Sequence, residues 1–257
     1  MNVKAKKHLG QHFLTDENIA KKIVEGLDFQ PYQYVLEVGP GTGVLTKYLL
    51  EKPTETYVAE IDTESIEYLK LHYQKLENKY FTGDFLKINL SDIFSGEVAV
   101  IGNFPYNISS QILFKIIENY QQIPEMVGMF QKEVAERTAA VPRTKDYGIL
   151  SVLVQAYYDV KYLFTVHENV FNPPPKVKSG VIKLTRNRKE GLEGNEILFK
   201  QIVKTGFGQR RKKLSNALKS LDIPEVLKSH AFMDKRAEEL SVEDFINFTQ
   251  EWKAAKN

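Results

Sequence analysis

From Tyr34 onward, short apolar runs alternate with stretches of helical spacing. Residues 34–38 read as a buried strand that ends in a glycine-rich turn, and 44–50 begin a helix. A second strand is predicted over 56–61, followed by helical spacing over 63–74 with charges on one side. Residues 80–82, 98–101 and 126–130 read as further strands. Helices are predicted over 109–119, with Ser109 or Ser110 as N-cap, and over 132–140. Strands alternating with helices argue for an α/β fold with a parallel sheet and helices on both faces. Residues 148–158 read as another helix, and 159–164 and 180–184 as strands that close the sheet through an antiparallel pair. The polar stretch 186–195 then breaks the pattern. Beyond it, 196–205, 210–220, 224–229, 236–240 and 242–253 all have helical spacing. The chain therefore divides into a larger domain, 1–188, and a small all-α domain, 189–257.

Composition narrows the class. At 257 residues and 42% hydrophobic, the chain holds a sizeable core. No apolar stretch is long enough to span a bilayer. The first residues lack the apolar centre of a secretory signal. The absence of cysteine excludes disulfides, thiolate metal sites and a cysteine nucleophile, and a cytoplasmic location is expected. Net charge is only +2, but it is unevenly placed. Lys4, Lys6 and Lys7 crowd the start. Residues 199–219 carry seven Lys or Arg and no acid, densest at Arg210-Arg211-Lys212-Lys213. These residues are candidates for contact with nucleic-acid phosphates; a solvated helix face is the alternative.

The turn after the first strand, Gly39-Pro40-Gly41-Thr42-Gly43, has the spacing G-x-G-x-G. The dinucleotide fingerprint would need glycine where Val44 stands, which disfavours NAD. Glu60 ends the second strand, where such sheets place an acid on ribose hydroxyls. Asp84 follows the third strand and suits an adenine amino group, with Ile61 and Phe85 as apolar walls for the ring. Either acid alone reads first as a helix or turn cap; their joint placement at successive strand ends favours a nucleoside cofactor. Glu37, inside the first strand, needs a partner, which a water-bridged ligand ammonium would supply.

Asn103-Phe104-Pro105-Tyr106 follows the fourth strand. An aromatic amine is a poor nucleophile because its lone pair is delocalised into the ring. The Asn103 side-chain oxygen and the Pro105 carbonyl are candidate acceptors for its N–H bonds, and Tyr106 a stacking surface for the base. The pattern suits methyl transfer to a planar amine, with adenine the expected base. Phe171, at the head of Phe171-Asn172-Pro173-Pro174-Pro175-Lys176-Val177, is expected to cover the other face of a flipped base. Phe13 is a second stacking candidate. The histidines show no metal-ligand spacing, and neither a hydrolase elbow nor a Walker loop is present.

Taken together, these segments resemble the KsgA family of small-subunit ribosomal RNA adenine dimethyltransferases. The resemblance runs through Leu9-Gly10-Gln11-His12-Phe13-Leu14, the glycine turn, residues 102–109, Gln131-Lys132-Glu133-Val134, Tyr147-Gly148, residues 171–178 and Phe207-Gly208-Gln209-Arg210-Arg211-Lys212. It implies a Rossmann-like class I methyltransferase fold and S-adenosylmethionine as methyl donor, with no metal. It also implies N6,N6-dimethylation of two adjacent adenosines near the 3′ end of the small-subunit RNA. By position, the family's cofactor contacts fall on His12, Leu14, Gly39, Gly41, Glu60, Asp84 and Asn103, those of His12 and Leu14 mainly through backbone. Its target-base residues fall on Asn103, Pro105, Tyr106 and Phe171. The expected partner is small-subunit RNA within a pre-assembled subunit, engaged by a monomer without a membrane. Phe104 departs from the usual leucine, with an expected effect on pocket shape, and Ser110-Gln111 from the usual Thr-Pro or Ser-Pro. Competing readings are a large-subunit adenine methylase of the macrolide-resistance type, a DNA adenine methyltransferase and a non-catalytic ribosome-assembly factor.

Overall fold

The computed structural model describes residues 3–256. Met1, Asn2 and Asn257, at the limits of the expected domains, lie outside the described residues. Contacts group into two compact units, Met1–Ala135 with Val160–Arg186, and Glu136–Asp159 with Asn187–Asn257.

In chain order the strands and α-helices are β1 (Phe13–Leu14), α1 (Glu17–Val24), β2 (Tyr34–Val38), α2 (Thr46–Leu49), β3 (Glu55–Glu60) and α3 (Thr63–His72). They continue with β4 (Tyr80–Thr82), β5 (Val98–Asn103), α4 (Ser109–Glu118), β6 (Glu125–Gln131), α5 (Lys132–Ala139) and α6 (Ile149–Gln155). The last are β7 (Tyr158–Val166), β8 (Phe171–Asn172), β9 (Ser179–Arg186), α7 (Glu196–Gly208), α8 (Leu214–Ala217) and α9 (Val242–Ala254).

The main sheet has the order β4-β3-β2-β5-β6-β9-β7. Its first five strands are parallel, and β9 runs antiparallel to β6. Val35, Leu36, Val98, Val100 and Ile101 are all fully buried, which is why β2 and β5 read as unbroken apolar runs rather than alternating ones. β2 has β3 on one side and β5 on the other, so the strand order reverses there. A crevice at the carboxyl ends of such strands is where open α/β sheets take ligands. A second, two-stranded sheet pairs β1 with β8 antiparallel.

Helix α1 lies before the point where the sequence pattern was read. Asp16 caps it, accepting from the N–H groups of Asn18 and Ile19 at 2.9 and 3.0 Å, and Ala20, Ile23 and Val24 form its buried stripe. Other expectations need correction. The helix expected over 148–158 stops at Gln155, and Tyr158 already opens β7. The helix expected over 210–220 shrinks to α8, because Lys213 is extended and bridges Arg236; the basic run lies in the turn before it. The stretches 224–229 and 236–240 hold only single 3-10 turns, Glu225–Leu227 and Ala237–Glu239.

In the second unit, Phe199, Phe245, Phe248 and Trp252 are buried together with Tyr147. The Tyr147 hydroxyl donates to the Leu240 carbonyl at 3.0 Å. This tie groups 136–159 with the C-terminal helices, whereas the sequence reading placed it in the domain 1–188. Among the described residues no helix is long and apolar enough to cross a membrane.

Candidate active site

The carboxyl ends of β2, β3 and β5, with the turn after β4, enclose a cleft. Gly39, Gly41 and Gly43 take φ values of 68°, 56° and 84°, a region that disfavours any side chain. Space adds a second reason at two of them. A Cβ on Gly41 would lie 2.8 Å from the Phe13 ring, and one on Gly43 would lie 2.5 Å from the Tyr73 ring. Gly39 meets nothing within 4 Å and lines the open cleft. Glu60 is buried there, accepting from the N–H of Gly41 at 3.1 Å and of Asp62 at 3.0 Å. Burial pushes its pKa up against the pull of those donors. Beside it, Ile61 is 51% exposed, an apolar surface without cover on the cleft wall. Asp84 caps the turn through Oδ1, which accepts from Leu86 N–H at 3.0 Å, and also lines the cleft with Phe85. Its Oδ2 has no protein partner among the described residues. Glu37 has its partner in Thr46, whose hydroxyl donates to Oε2 at 2.5 Å. Burial and the nearby Glu60 charge push its pKa up to about 8.

The turn after β5 borders the same cleft. The Asn103 amide donates through Nδ2 to the His12 carbonyl at 2.8 Å, which leaves Oδ1 as a free acceptor. The Pro105 carbonyl accepts from Ile108 N–H at 3.3 Å, a long bond that uses one of its two lone pairs. The Tyr106 ring stacks on the His12 ring with centroids 5.5 Å apart and planes 28° apart. Its hydroxyl is hydrogen-bonded to Ser179 Oγ, and burial raises the phenol pKa. His12 Nδ1 lies 2.8 Å from the Pro173 carbonyl and donates to it. Residues 10–14, 103–106 and 171–179 therefore converge. A groove beside them is lined by Lys7, His12, Tyr106, Gln131, Pro174 and Lys176.

Some expected residues sit elsewhere. Phe171 is 4% exposed and packs in the core with Leu14, Ile23 and Val166. The β1–β8 register sets Leu14 opposite Phe171, and neither side chain reaches a cleft wall. Phe13 covers Gly41 and lines the cleft together with Glu60, Asn103 and Tyr106, but not the groove that Lys176 lines. Phe104 is fully buried against Gly102 and Gly128 and 4.9 Å from Phe130, and it also borders the cleft beside Asn103 and Pro105. Lys6 is engaged by Asp62 at 2.6 Å and Glu64 at 3.1 Å, while Lys4 and Lys7 are exposed.

The basic run of the helical unit splits in the same way. Arg210 pairs with Glu238 at 2.5 Å and donates to the Thr144 carbonyl at 3.1 Å. Lys213 pairs with Asp234 at 2.9 Å. Arg211 and Lys212 are exposed with no side-chain partner among the described residues. Arg211 shares a cleft with Arg143 and Arg236, rimmed by Asp234, Glu238 and Glu239. Arg143 and Arg236 are isolated from the run in sequence, which is why charge clustering does not find them. Ser179 was also missed, because a lone serine at a strand start carries no signal. Among the described residues no group of three or more His, Asp or Glu is placed to hold a metal ion.

Comparison with known proteins bears on this geometry. The family described as "Ribosomal RNA adenine dimethylase" matches residues 2–254. A Flavobacterium johnsoniae protein named ribosomal RNA small subunit methyltransferase A is 59% identical, over 98% of this chain and 97% of its own length. Among solved structures, a dimethyladenosine transferase from Plasmodium falciparum superposes with a TM-score of 0.84 at 26% identity, covering 95% of this chain and 98% of that one. The 23S rRNA methyltransferase ErmE superposes with a TM-score of 0.69 at 25% identity, covering 94% and 99%. With a class I methyltransferase sheet, a cleft at the carboxyl ends of its strands and the asparagine-to-tyrosine turn at its edge, the chain belongs to the ribosomal RNA adenine dimethylase family.

Proposed function

We propose that this chain uses S-adenosylmethionine to dimethylate N6 of two adjacent adenosines in the 3′-terminal hairpin loop of small-subunit ribosomal RNA. The observation that carries the reading is the Asn103 amide. Its nitrogen is committed to the His12 carbonyl, so its oxygen is left as an acceptor, two positions before Pro105 and three before the ring of Tyr106.

The cleft residues fit the donor. Glu60, anchored by two backbone donors, has the geometry to accept from vicinal ribose hydroxyls. The exposed Ile61 offers a flat apolar contact to the adenine, and the free oxygen of Asp84 an acceptor for its amino group. When bound, the donor supplies an electrophilic methyl group on a sulfonium. For the first transfer Asn103 Oδ1 and the Pro105 carbonyl would hold the two N–H bonds of the target amine, and for the second the one N–H that remains, favouring a tetrahedral nitrogen with its lone pair directed at the methyl; the methyl's bond to sulfur breaks as its bond to nitrogen forms, and the nitrogen then releases a proton to solvent. Tyr106 stacks on the base, a contact worth roughly 1–3 kcal/mol. What remains is alignment, which the rigid turn supplies.

Phosphate contacts are assigned to Arg143, Arg211, Lys212 and Arg236 in the helical unit and to Lys4 and Lys7 in the arm. Arg210, Lys213 and Lys6 act through their ion pairs. Phe171 supports the β1–β8 sheet in the described state. The 59% identity to a small-subunit enzyme favours that RNA over the large-subunit one. We place the reaction on a partly assembled subunit in the cytoplasm, carried out by a monomer.

The test is transfer from labelled S-adenosylmethionine to undermethylated small subunits, large subunits and duplex DNA, read by nucleoside mass spectrometry. Dimethyladenosine in the small-subunit RNA alone is expected. Its formation in large-subunit RNA would move the chain to the resistance-type methylases, and donor binding without transfer to any substrate would favour an assembly factor.

A further inference from the structure

A serine on a buried strand is unfavourable unless its hydroxyl is used. Ser179 opens β9 opposite Gln131, is fully buried and is followed by the apolar Val181 and Ile182. Its Oγ has one hydrogen-bond partner among the described residues, the Tyr106 hydroxyl. The strand leaves it no freedom. A Cβ at the next residue, Gly180, would lie 2.7 Å from Ala135 and 2.9 Å from Tyr162, so β9 is already packed tightly against its neighbours.

Seen from Tyr106, the same bond is the one hydrogen bond that the phenol makes among the described residues. His12 touches the face at 5.5 Å, and Ser109 Oγ holds the backbone by donating to the Tyr106 carbonyl at 3.0 Å. Neither fixes where the phenol end points. Without Ser179 the phenol end loses its hydrogen bond, and the direction of the ring is less closely held. A base stacked on it would then carry its amine away from Asn103 Oδ1 and the Pro105 carbonyl.

We propose that Ser179 is a positioning residue for the methyl transfer, acting through the phenol of Tyr106 to fix the plane on which the target adenine stacks. The inference rests on the reading of Tyr106 given under Proposed function. Ser179 touches neither the donor nor the base; it converts a mobile aromatic side chain into a surface of defined direction. Small misplacements of a reacting atom are costly, up to about 10²-fold for roughly 1 Å.

The experiment compares the full-length wild type with Ser179→Ala, Tyr106→Phe and the double variant on undermethylated small subunits. It measures kcat, KM for the subunit, S-adenosylhomocysteine affinity by calorimetry and the unfolding temperature. Tyr106→Phe keeps the ring and removes the bond from the other side, so it tests the same bond independently if Ser179→Ala folds poorly. Each single change is expected to lower kcat about tenfold, with KM and S-adenosylhomocysteine affinity within about twofold. The double variant should be no worse than either single one. Losses that multiply in the double variant, or unchanged kcat in a folded Ser179→Ala, would overturn the assignment while the methyltransferase reading stands. A wild type inactive on small subunits would remove that reading, and this inference with it.

Discussion

Phe104 sits between the two acceptors of the reactive turn, yet its ring serves the core, and the glycine facing it tests that placement. A Cβ added at Gly128 would lie 2.3 Å from Phe104 Cε2, 2.8 Å from Cδ2 and 2.9 Å from the Met126 sulfur. Carbon atoms pack at about 3.5–4.0 Å, so the ring would have to retreat by roughly 1.2 Å. It has nowhere to go: a Cβ position on Gly102 is 2.9 Å from its other edge, and the Phe130 centroid is 4.9 Å away. Overpacking of this kind costs about 1–3 kcal/mol, and Gly128→Ala should fall near the upper end. Phe104→Leu shortens the side chain and should cost about 1 kcal/mol, with turnover within roughly threefold of wild type because the ring is almost wholly buried. In the Phe104→Leu background the added methyl of Gly128→Ala has room. The double variant should therefore be more stable than the sum of the single losses by at least about 1 kcal/mol. Urea unfolding followed by far-UV circular dichroism reads this. The sole tryptophan, Trp252, reports on the helical unit and is unsuitable as the only probe. Turnover should fall with Gly128→Ala alone, since a displaced Phe104 drags Asn103 and Pro105 with it. An equal cost of Gly128→Ala in both backgrounds would refute the wedge.

Two further outcomes follow from other parts of the structure. Replacing Arg211 and Lys212 together by Ala should reduce the slope of log affinity for small-subunit RNA against log salt by about 1.5. Arg210→Ala, which breaks a partly exposed pair with Glu238, should cost about 1 kcal/mol or less in stability and leave that slope nearly unchanged. Filter binding across a KCl series separates the two, and an equal change of slope for both would refute the division. Glu37, with its pKa pushed up to about 8 from an ordinary 4.5, keeps in the native state a proton that the unfolded chain releases between those values. Its contribution is thus fully present below 4.5 and lost as pH rises to about 8, at up to about 1.4 kcal/mol per pH unit. Glu37→Gln, which can still accept from Thr46, should flatten that decline in urea midpoints, and identical pH dependence would exclude Glu37 as its source.

The parallel sheet was legible because β2, β5 and β6 are buried nearly throughout and read as short apolar runs, with β3 half-buried at its start. The cleft followed from it: acids at the ends of successive parallel strands fall at one edge by topology alone, which brought Glu60 and Asp84 together with Gly39. Helix limits in the C-terminal unit were less legible. Residues 210–220 have helical composition, but the chain there spends its backbone on a bridge between Lys213 and Arg236, a tertiary contact that local spacing does not encode. The same holds for 136–159, whose grouping with the helical unit rests on Tyr147 reaching Leu240, ninety-three residues on. Charge is the plainest case. Lys6, Arg210 and Lys213 look the same in sequence as Lys7, Arg211 and Lys212. Only the acids that fold beside the first three distinguish them. Phe171 illustrates a different limit: a motif names an aromatic residue, but the β1–β8 register decides which way it faces.

The division of labour within the chain constrains where RNA choice is made. Two acceptors and an aromatic face recognise any adenine whose N6 is free, since the amine and the π-face are the same in every RNA loop. The reactive turn therefore supplies chemistry and base identity, not the address. An address needs groups whose spacing matches a particular backbone path. Under the phosphate assignment proposed above, Arg143, Arg211 and Arg236 are the groups that would meet that requirement: each is a planar fork suited to bidentate phosphate contact, and none has an ion pair among the described residues. The acids on the same rim sharpen the selection. Glu238 is held by Arg210, and Glu239 accepts from the Arg236 N–H at 2.7 Å, so both stay in place when RNA approaches. A phosphate that follows the arginines gains contacts, and one displaced toward the rim meets fixed negative charge. Discrimination then comes from repulsion of the wrong path as much as attraction of the right one.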